Sequence, residues 1–372
     1  SHLTDGFVAK YSQKVTNKTE AVKIKQDLDN DTYEVVEVVA EEKKKPPFPP
    51  LETSSLQQAA ALKFGLPATK TMRAAQTLYE SGIVTYIRTD SVRCSPESIS
   101  ALRDWLTEGG YQIPDKPNIY NSMGDAQDAH EAIRPTDINL KPEKLSLGED
   151  EKRVYSLIWE RFVASQMQPA IFDTVSVTVR SSSGHVLKAH GRTLKYKGWT
   201  AITGELEKKD DEEEAKLPLL KKGDVVVLIP PKVKADQKFT QPPSRYKEHS
   251  LIKELKKRGI GRPSTYAATM AKLTDRSYVE KKKDTFYPTD LGKKVVDSLV
   301  KFFDFMEYQY TADMENQLDQ IEEGKLDYLQ MMNTFFPQFK NQLSKAYSSN
   351  IQDYGINCYK CQSPMRLKHG KF

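Results

Sequence analysis

The stretch Gly82-Ile83-Val84-Thr85-Tyr86-Ile87-Arg88-Thr89-Asp90-Ser91 places a phenol and a guanidinium two residues apart among hydroxyl side chains. A free tyrosine has a pKa of about 10, so only roughly 0.1 % of it is phenolate at neutral pH, and it needs a nearby cation to act as a nucleophile. Arg88 can supply that cation. Its planar fork also matches a phosphodiester held at two points, so the pair suits phosphoryl transfer. The same ten residues by themselves also read as a half-buried strand in which Tyr86 packs and Arg88 carries its head to water.

Outward from this stretch the pattern is helical. Helices are predicted over residues 54–63 and 69–81, the second bearing Gln76 and ending before Gly82. Another opens at Ser95-Pro96-Glu97, where a capping serine precedes a first-turn proline and an acid. The Tyr86 segment is therefore expected as a short extended connection on a helical domain, closed by an amphipathic stretch over residues 150–167 that stops at Pro169.

Further out lie strands. Residues 7–15 and 33–42 flank a helix over 20–28; residues 172–180 alternate Val175, Val177 and Val179 and pair with 185–194 through Ser183-Gly184; residues 224–229 and 233–239 extend the β reading. These imply one β-rich domain split by the helical insertion. Lys43-Lys44-Lys45-Pro46-Pro47-Phe48-Pro49-Pro50 marks a boundary or hinge, since its prolines continue neither a helix nor a sheet interior. After Pro242-Pro243 come helices over 248–258 and 263–273, strands over 278–280 and 285–287 around a lysine-rich turn, and a helix from Asp290. That is the order of a winged-helix-like module, with a plain helical bundle as the alternative.

The fold class is thus mixed α+β and multidomain. Five segments are expected: 1–45 and 172–242 as two parts of a β-rich hinge domain, 46–171 as the helical domain carrying the tyrosine, 243–345 as a helical DNA-binding domain, and 346–372 as the start of a zinc-ribbon segment.

Charge and cysteine content narrow the partners. The 372 residues carry 56 basic and 51 acidic side chains, a net charge of +5, with 38 % hydrophobic and 29 % charged residues, and no apolar run approaches a membrane span. Arg245 to Lys294 alone hold 14 of the basic residues, the footprint of a DNA-binding surface or of a solvated helix face. Acid gathers in Glu205, Glu207, Asp210, Asp211, Glu212, Glu213 and Glu214, read as a solvated loop. Three cysteines build no disulfide framework. Cys94 reads as packed and inert in a helix-like region. Cys358-Tyr359-Lys360-Cys361 has the spacing of half a zinc site, with only His369 after it, and is expected to hold no metal. Ser1-His2 reads as the remnant of a cleaved tag.

Two further motifs bear on chemistry. Ala129-His130-Glu131-Ala132-Ile133-Arg134-Pro135 sets a histidine and an arginine at the helical spacing i, i+4, both able to bind phosphate. A zinc protease would need histidine at position 134. Gly259-Ile260-Gly261-Arg262-Pro263-Ser264-Thr265-Tyr266 offers glycines for close backbone approach, an arginine, and two hydroxyls at a helix start, a geometry that grips phosphates. No P-loop occurs, which argues against ATP as a driver.

With these motifs in place, the chain resembles bacterial type IA DNA topoisomerase I. The resemblance rests on Thr53-Ser54-Ser55-Leu56-Gln57-Gln58-Ala59, the Tyr86 and His130 stretches, Pro242-Pro243-Ser244-Arg245-Tyr246, the Gly259 stretch and Met314-Glu315-Asn316-Gln317-Leu318-Asp319, in the family's order. It implies a torus-like core and makes Tyr86 the nucleophile of a 5′-phosphotyrosine link, with Arg88 at the scissile phosphate and His130 in the surrounding hydrogen-bond network. It further implies that Gln76, Arg134, Arg262, Ser264, Thr265 and Arg276 bind DNA, single-stranded at the cleavage site.

The resemblance also implies ATP-independent relaxation of negatively supercoiled DNA by a monomer in the bacterial cytoplasm, on the nucleoid. Mg2+ would be held by an N-terminal Toprim domain, and Zn2+ by C-terminal ribbons. No Asp-x-Asp-x-Glu cluster is present here, so this chain is expected not to relax DNA alone and to leave Tyr86 and Arg88 exposed. Two rivals stand beside this reading. Tyrosine recombinases and type IB enzymes place their tyrosine after the basic residues, whereas Tyr86 precedes His130 by 44 positions. A non-catalytic winged-helix and zinc-ribbon binding module is the other.

Overall fold

A computed structural model of the chain describes residues 6–120, 130–204, 217–229, 233–349 and 360–362. In chain order its elements are β1 (Lys10–Tyr11), α1 (Lys18–Asn30), β2 (Tyr33–Lys45), α2 (Thr53–Phe64), α3 (Ala68–Glu80), α4 (Pro96–Glu108), α5 (Glu149–Ser165), β3 (Ala170–Ser181) and β4 (Val186–Tyr196). There follow α6 (Thr200–Thr203), β5 (Val225–Val226), α7 (Glu248–Lys257), α8 (Tyr266–Asp275), β6 (Val279–Lys282), β7 (Thr285–Pro288), α9 (Asp290–Leu299), α10 (Tyr308–Glu322) and α11 (Tyr328–Ser349). The chain divides into two compact units. One comprises Ser1–Leu51, Ser91–Ser146 and Ser156–Pro243; the other comprises Glu52–Asp90, Leu147–Tyr155 and Ser244–Phe372.

The first unit is built on an antiparallel five-stranded sheet in the order β1-β4-β3-β2-β5. β2 pairs with β3 from Tyr33↔Ser181 to Lys45↔Ala170, so strands before and after the helical insertion close one sheet. Val35, Val177 and Val179 point from it into a core with Leu28 of α1, Leu187 and Ala189. Each such fully buried branched side chain contributes roughly 1.5–3 kcal/mol. α1 starts where the Asn17 side chain accepts the Glu20 amide at 2.8 Å. The strands expected over 7–15 and 224–229 shorten to β1 and β5, and residues 233–239 form no strand. The acidic stretch from Glu205 to Glu214 lies outside the described residues.

The exits of the insertion are stapled in the same unit. The Trp199 indole donates to the Lys45 carbonyl at 3.0 Å and its amide to the Gln168 carbonyl at 3.0 Å, tying the strand end before Pro46 to the return before Pro169. Gly198 makes this possible: its φ is +49°, and a Cβ there would sit 2.4 Å from the Pro169 carbonyl oxygen. Gly198→Ala therefore combines a left-handed backbone with a backbone clash. We expect it to cost about 2–4 kcal/mol in urea unfolding, whereas alanine at Gly184, where a Cβ meets nothing within 4 Å, costs less.

In the second unit α2 and α3 pack with α7 and α8. Its core joins Ala68 of α3 to Ile252, Tyr266, Met270 and Phe286. The sequence α7-α8-β6-β7-α9 has the helix, helix, hairpin, helix order expected for a winged-helix-like module. α9 starts on Thr289, whose hydroxyl accepts the Gly292 amide at 3.0 Å. Compactness thus cuts across segment 46–171 of the five-segment layout: Glu52–Asp90 share a core with α7 and α8, while Ser91–Ser146 lie with the sheet. Among the described residues no helix is long and apolar enough to cross a membrane.

Candidate active site

The Tyr86 segment follows α3 as a looped connection rather than a strand. Gly82, with φ +72°, turns the chain out of the helix, and its amide caps the Tyr79 carbonyl at 2.9 Å. From there side chains alternate. Ile87, Thr89 and Ser91 are buried, while Tyr86, Arg88 and Asp90 are exposed. This is the period of two that an extended chain imposes without a sheet partner.

Thr53, at the first position of α2, supplies the missing partner. Its amide donates to the Thr89 carbonyl at 2.9 Å, and its hydroxyl accepts the Thr89 amide at 2.9 Å. The hydroxyl proton lies between the carbonyls of Ile87 at 2.7 Å and Thr89 at 2.9 Å. One buried threonine thus fixes the backbone on both sides of Arg88. The Tyr86 ring meets the Tyr79 ring edge to face at 5.5 Å, which limits its swing.

Tyr86 is 43 % exposed. Among the described residues the exposed Arg88 guanidinium makes no hydrogen bond or ion pair, so its fork is open to an anion. Two other tyrosines are buried or partly buried. Burial, followed by the carboxylate of Glu52, pushes the Tyr266 phenol up to about 12, and burial pushes Tyr120 up as well. They remain protonated structural groups.

Two buried carboxylates hold α2 and α3 to the winged-helix-like part of this unit. Glu52, 4 % exposed, takes the Lys256 ammonium of α7 and the Ser54 hydroxyl. Glu248 accepts the Ala68 amide at 2.6 Å and the Lys281 ammonium at 3.1 Å. Reading the sequence missed both ties, because each joins residues some 180 to 204 positions apart.

The other expected site residues are distributed as follows. Gln76 lies on α3 and donates to Glu80 at 2.8 Å. Thr265 precedes α8, its hydroxyl accepting the Arg262 amide at 2.8 Å; Ser264 beside it is exposed. The helix begins at Tyr266, three residues later than expected. Arg276 is exposed at the far end of α8, about 15 Å of helix away. Arg262 does not present a free guanidinium: it pairs with Glu315 and Asp319 of α10, so two motifs read separately in the sequence meet.

His130 and Arg134 belong to the other unit. Their spacing is not helical. The Ala132 amide donates to the Arg93 carbonyl and the Ile133 amide to the Leu51 carbonyl, both at 2.7 Å, which holds the segment extended, and Pro135 disfavours helix at the residue before it. Arg134 donates to Glu131 at 2.7 Å and to the Pro135 carbonyl at 3.0 Å. Cys94 stands before α4 rather than in a helix, and burial pushes its thiol up to about 12, in keeping with an inert side chain. Cys361 is exposed, and Cys358 lies outside the described residues.

Among the described residues no group of three or more His, Cys, Asp or Glu side chains is placed to hold a metal. Of the carboxylates around the tyrosine-bearing helices, Glu52 and Glu248 are already bound to ammonium groups. The donor set described here does not fit Mg2+.

The family described as DNA topoisomerase matches residues 3–333 of the chain. DNA topoisomerase 1 of Vibrio cholerae is 40 % identical over 368 residues, covering 95 % of this chain and 41 % of that protein. The Haemophilus influenzae protein of the same name is 40 % identical over 379 residues, covering 98 % and 43 %. The chain thus spans less than half the length of these relatives. The structure of full-length topoisomerase I from Thermotoga maritima superposes with a TM-score of 0.80 at 33 % identity, over 99 % of this chain and 62 % of that one. An exposed tyrosine beside an open guanidinium, on a loop pinned from within, lies inside the matched region: the chain belongs to the bacterial type IA DNA topoisomerase I family.

Proposed function

We propose that this chain carries the strand-cleaving tyrosine of a type IA topoisomerase acting on single-stranded DNA. The observation that carries the reading is the presentation of Tyr86 and Arg88 on one exposed row of a loop whose other row is buried. The Tyr86 phenol oxygen attacks the phosphorus of a phosphodiester. A phosphorus–oxygen bond to tyrosine forms, the bond to the 3′ oxygen breaks, and that oxygen takes up a proton as it leaves. The tyrosine keeps the 5′ phosphate.

Arg88 holds the non-bridging oxygens and disperses the charge that grows on them, as a fixed cation does best in a preorganised site. His130 belongs to the network around that phosphate. Gln76, Arg134, Arg262, Ser264, Thr265 and Arg276 contact the bound strand. One ester replaces another, so religation needs no ATP, and superhelical strain gives relaxation its direction.

The hinge is the β-rich segments 1–45 and 172–242, with Pro46 to Pro50 as one hinge strand and 46–171 as the part that moves. The DNA-binding part is 243–345. Mg2+ would supply electrostatic help at the leaving oxygen, held by acidic ligands other than the residues described here. Zn2+ is assigned to ribbons of which Cys358 and Cys361 are half a site. The protein works as a monomer on DNA in the bacterial cytoplasm, at the nucleoid.

The test is the polarity of the covalent adduct. After the full-length protein that holds this sequence is incubated with a single-stranded oligonucleotide and denatured, the DNA piece bearing the 5′ phosphate is expected on Tyr86, read by peptide mass. Attachment through a 3′ phosphate would overturn the reading in favour of the recombinase-like chemistry.

A further inference from the structure

Arg262 is bound on three sides in the folded chain. Its Nη2 donates to Asp319 Oδ2, its Nε lies 3.7 Å from Glu315 Oε2, and its Nη1 donates to the Gly261 carbonyl at 3.1 Å. Glu315 and Asp319 are four residues apart on α10, one turn, so both face the same guanidinium. Two carboxylates for one cation leave local negative charge at a place that is otherwise built for an anion. The loop there is bent by Gly259 and Gly261, both at positive φ, and Ser264 beside it exposes its hydroxyl.

The two carboxylates are not equivalent. Glu315 is 20 % exposed and Asp319 is 51 % exposed. The inner one fixes the guanidinium, and the outer one covers its solvent side. A carboxylate and a phosphodiester present the same pair of oxygens to an arginine fork. An ion pair this exposed is weak enough to be exchanged for another anion.

We propose that the Asp319 carboxylate occupies the place that a DNA phosphate takes on Arg262, so that binding a single strand exchanges one anion for another while Glu315 keeps the guanidinium in position. Glu315 is a positioning residue on this view, and Asp319 is the competing anion. The proposal rests on the reading that the chain binds single-stranded DNA. The exchange makes the grip releasable. A contact that swaps anions gains little from neutralising the phosphate, so the strand is held at Arg262 without being locked there.

The test measures binding of a short fluorescein-labelled oligothymidylate to the 372-residue chain by anisotropy over a series of salt concentrations. Asp319→Asn removes the competing charge and keeps the side-chain shape. It is expected to tighten binding by about three- to five-fold at low salt. It should also steepen the dependence of log K on log salt by about 0.7, the increment for one more phosphate neutralised on a single strand. Arg262→Ala should weaken binding, and the double variant should show no gain from Asp319→Asn.

Weaker binding by Asp319→Asn, matching that of Arg262→Ala, would make Asp319 a mere prop and overturn the proposal, as would an unchanged slope. Asp319→Ser provides a second variant in case the asparagine disturbs α10, and melting curves establish that both fold. Failure of the unsubstituted chain to bind the oligonucleotide at low salt would sink the DNA-binding reading itself, and the proposal with it. Binding without any effect of Asp319 would sink the proposal alone.

Discussion

Phenylalanine at position 86 is expected to abolish covalent trapping on DNA while leaving the affinity for single strands within about twofold. The substitution removes one oxygen and keeps the ring that meets Tyr79 edge to face at 5.5 Å, so the loop geometry is preserved. Two other groups are unsuited to replace it: Tyr266 is buried with its phenol pushed up to about 12, and the Cys94 thiol is pushed equally high by burial. Loss of a nucleophile leaves no covalent route, so cleavage falls to background. The measurement is a denaturing gel of labelled oligonucleotide with the longest natural form of the protein that holds this sequence, beside a binding curve for the same DNA. Undiminished trapping in the Phe variant would reassign the nucleophile. A non-catalytic winged-helix binding module would show no trapping in either form.

Valine in place of Thr53 should damage the site without touching DNA. It preserves volume and branching but removes the hydroxyl that accepts the Thr89 amide and donates between the Ile87 and Thr89 carbonyls. Thr53 is fully buried and Thr89 nearly so, so water does not replace the lost partner. The cost expected is about 1–3 kcal/mol, read by urea unfolding. Because these bonds hold the backbone on both sides of Arg88, the loop also shifts. A misplacement on the order of 1 Å between nucleophile and phosphate lowers cleavage about a hundredfold. Single-turnover cleavage should therefore fall more than the affinity does, and Thr53→Ser should restore both. Equal loss in the serine variant would show that the methyl contact, not the hydroxyl, matters.

Much of this architecture was legible along the chain because its signals are local. Ser95-Pro96 does open α4, with the serine hydroxyl accepting the Ser98 amide at 3.2 Å; Gly82 does follow the end of the helix before Tyr86; the Val177 and Val179 alternation does face a core. The errors share one cause. Residues 130–134 fit a helical period, yet their amides pair with Leu51 and Arg93, and partners tens of residues away leave no trace in local spacing. Residues 233–239 have the composition of a strand, but a strand also needs a neighbour with which to exchange backbone hydrogen bonds.

Arg262 carries the same lesson for the site. As a residue type beside glycines and hydroxyls it reads as a free phosphate ligand. Folding adds Glu315 and Asp319 from α10, more than fifty residues on, and turns a free cation into one already holding an anion.

The sequence by itself determined the residue types of the candidate site: a tyrosine two residues before an arginine, preceded by a helix-ending glycine. These depend on side-chain type and on backbone preferences within a few residues. Only the tertiary structure decided which groups are available to react. It buried Thr53 beneath the loop, tied Glu52 and Glu248 to distant lysines, and left Arg88 open while closing Arg262. Availability is a property of neighbours in space, since desolvation and ion pairing fall off over a few ångströms regardless of how much chain separates the partners.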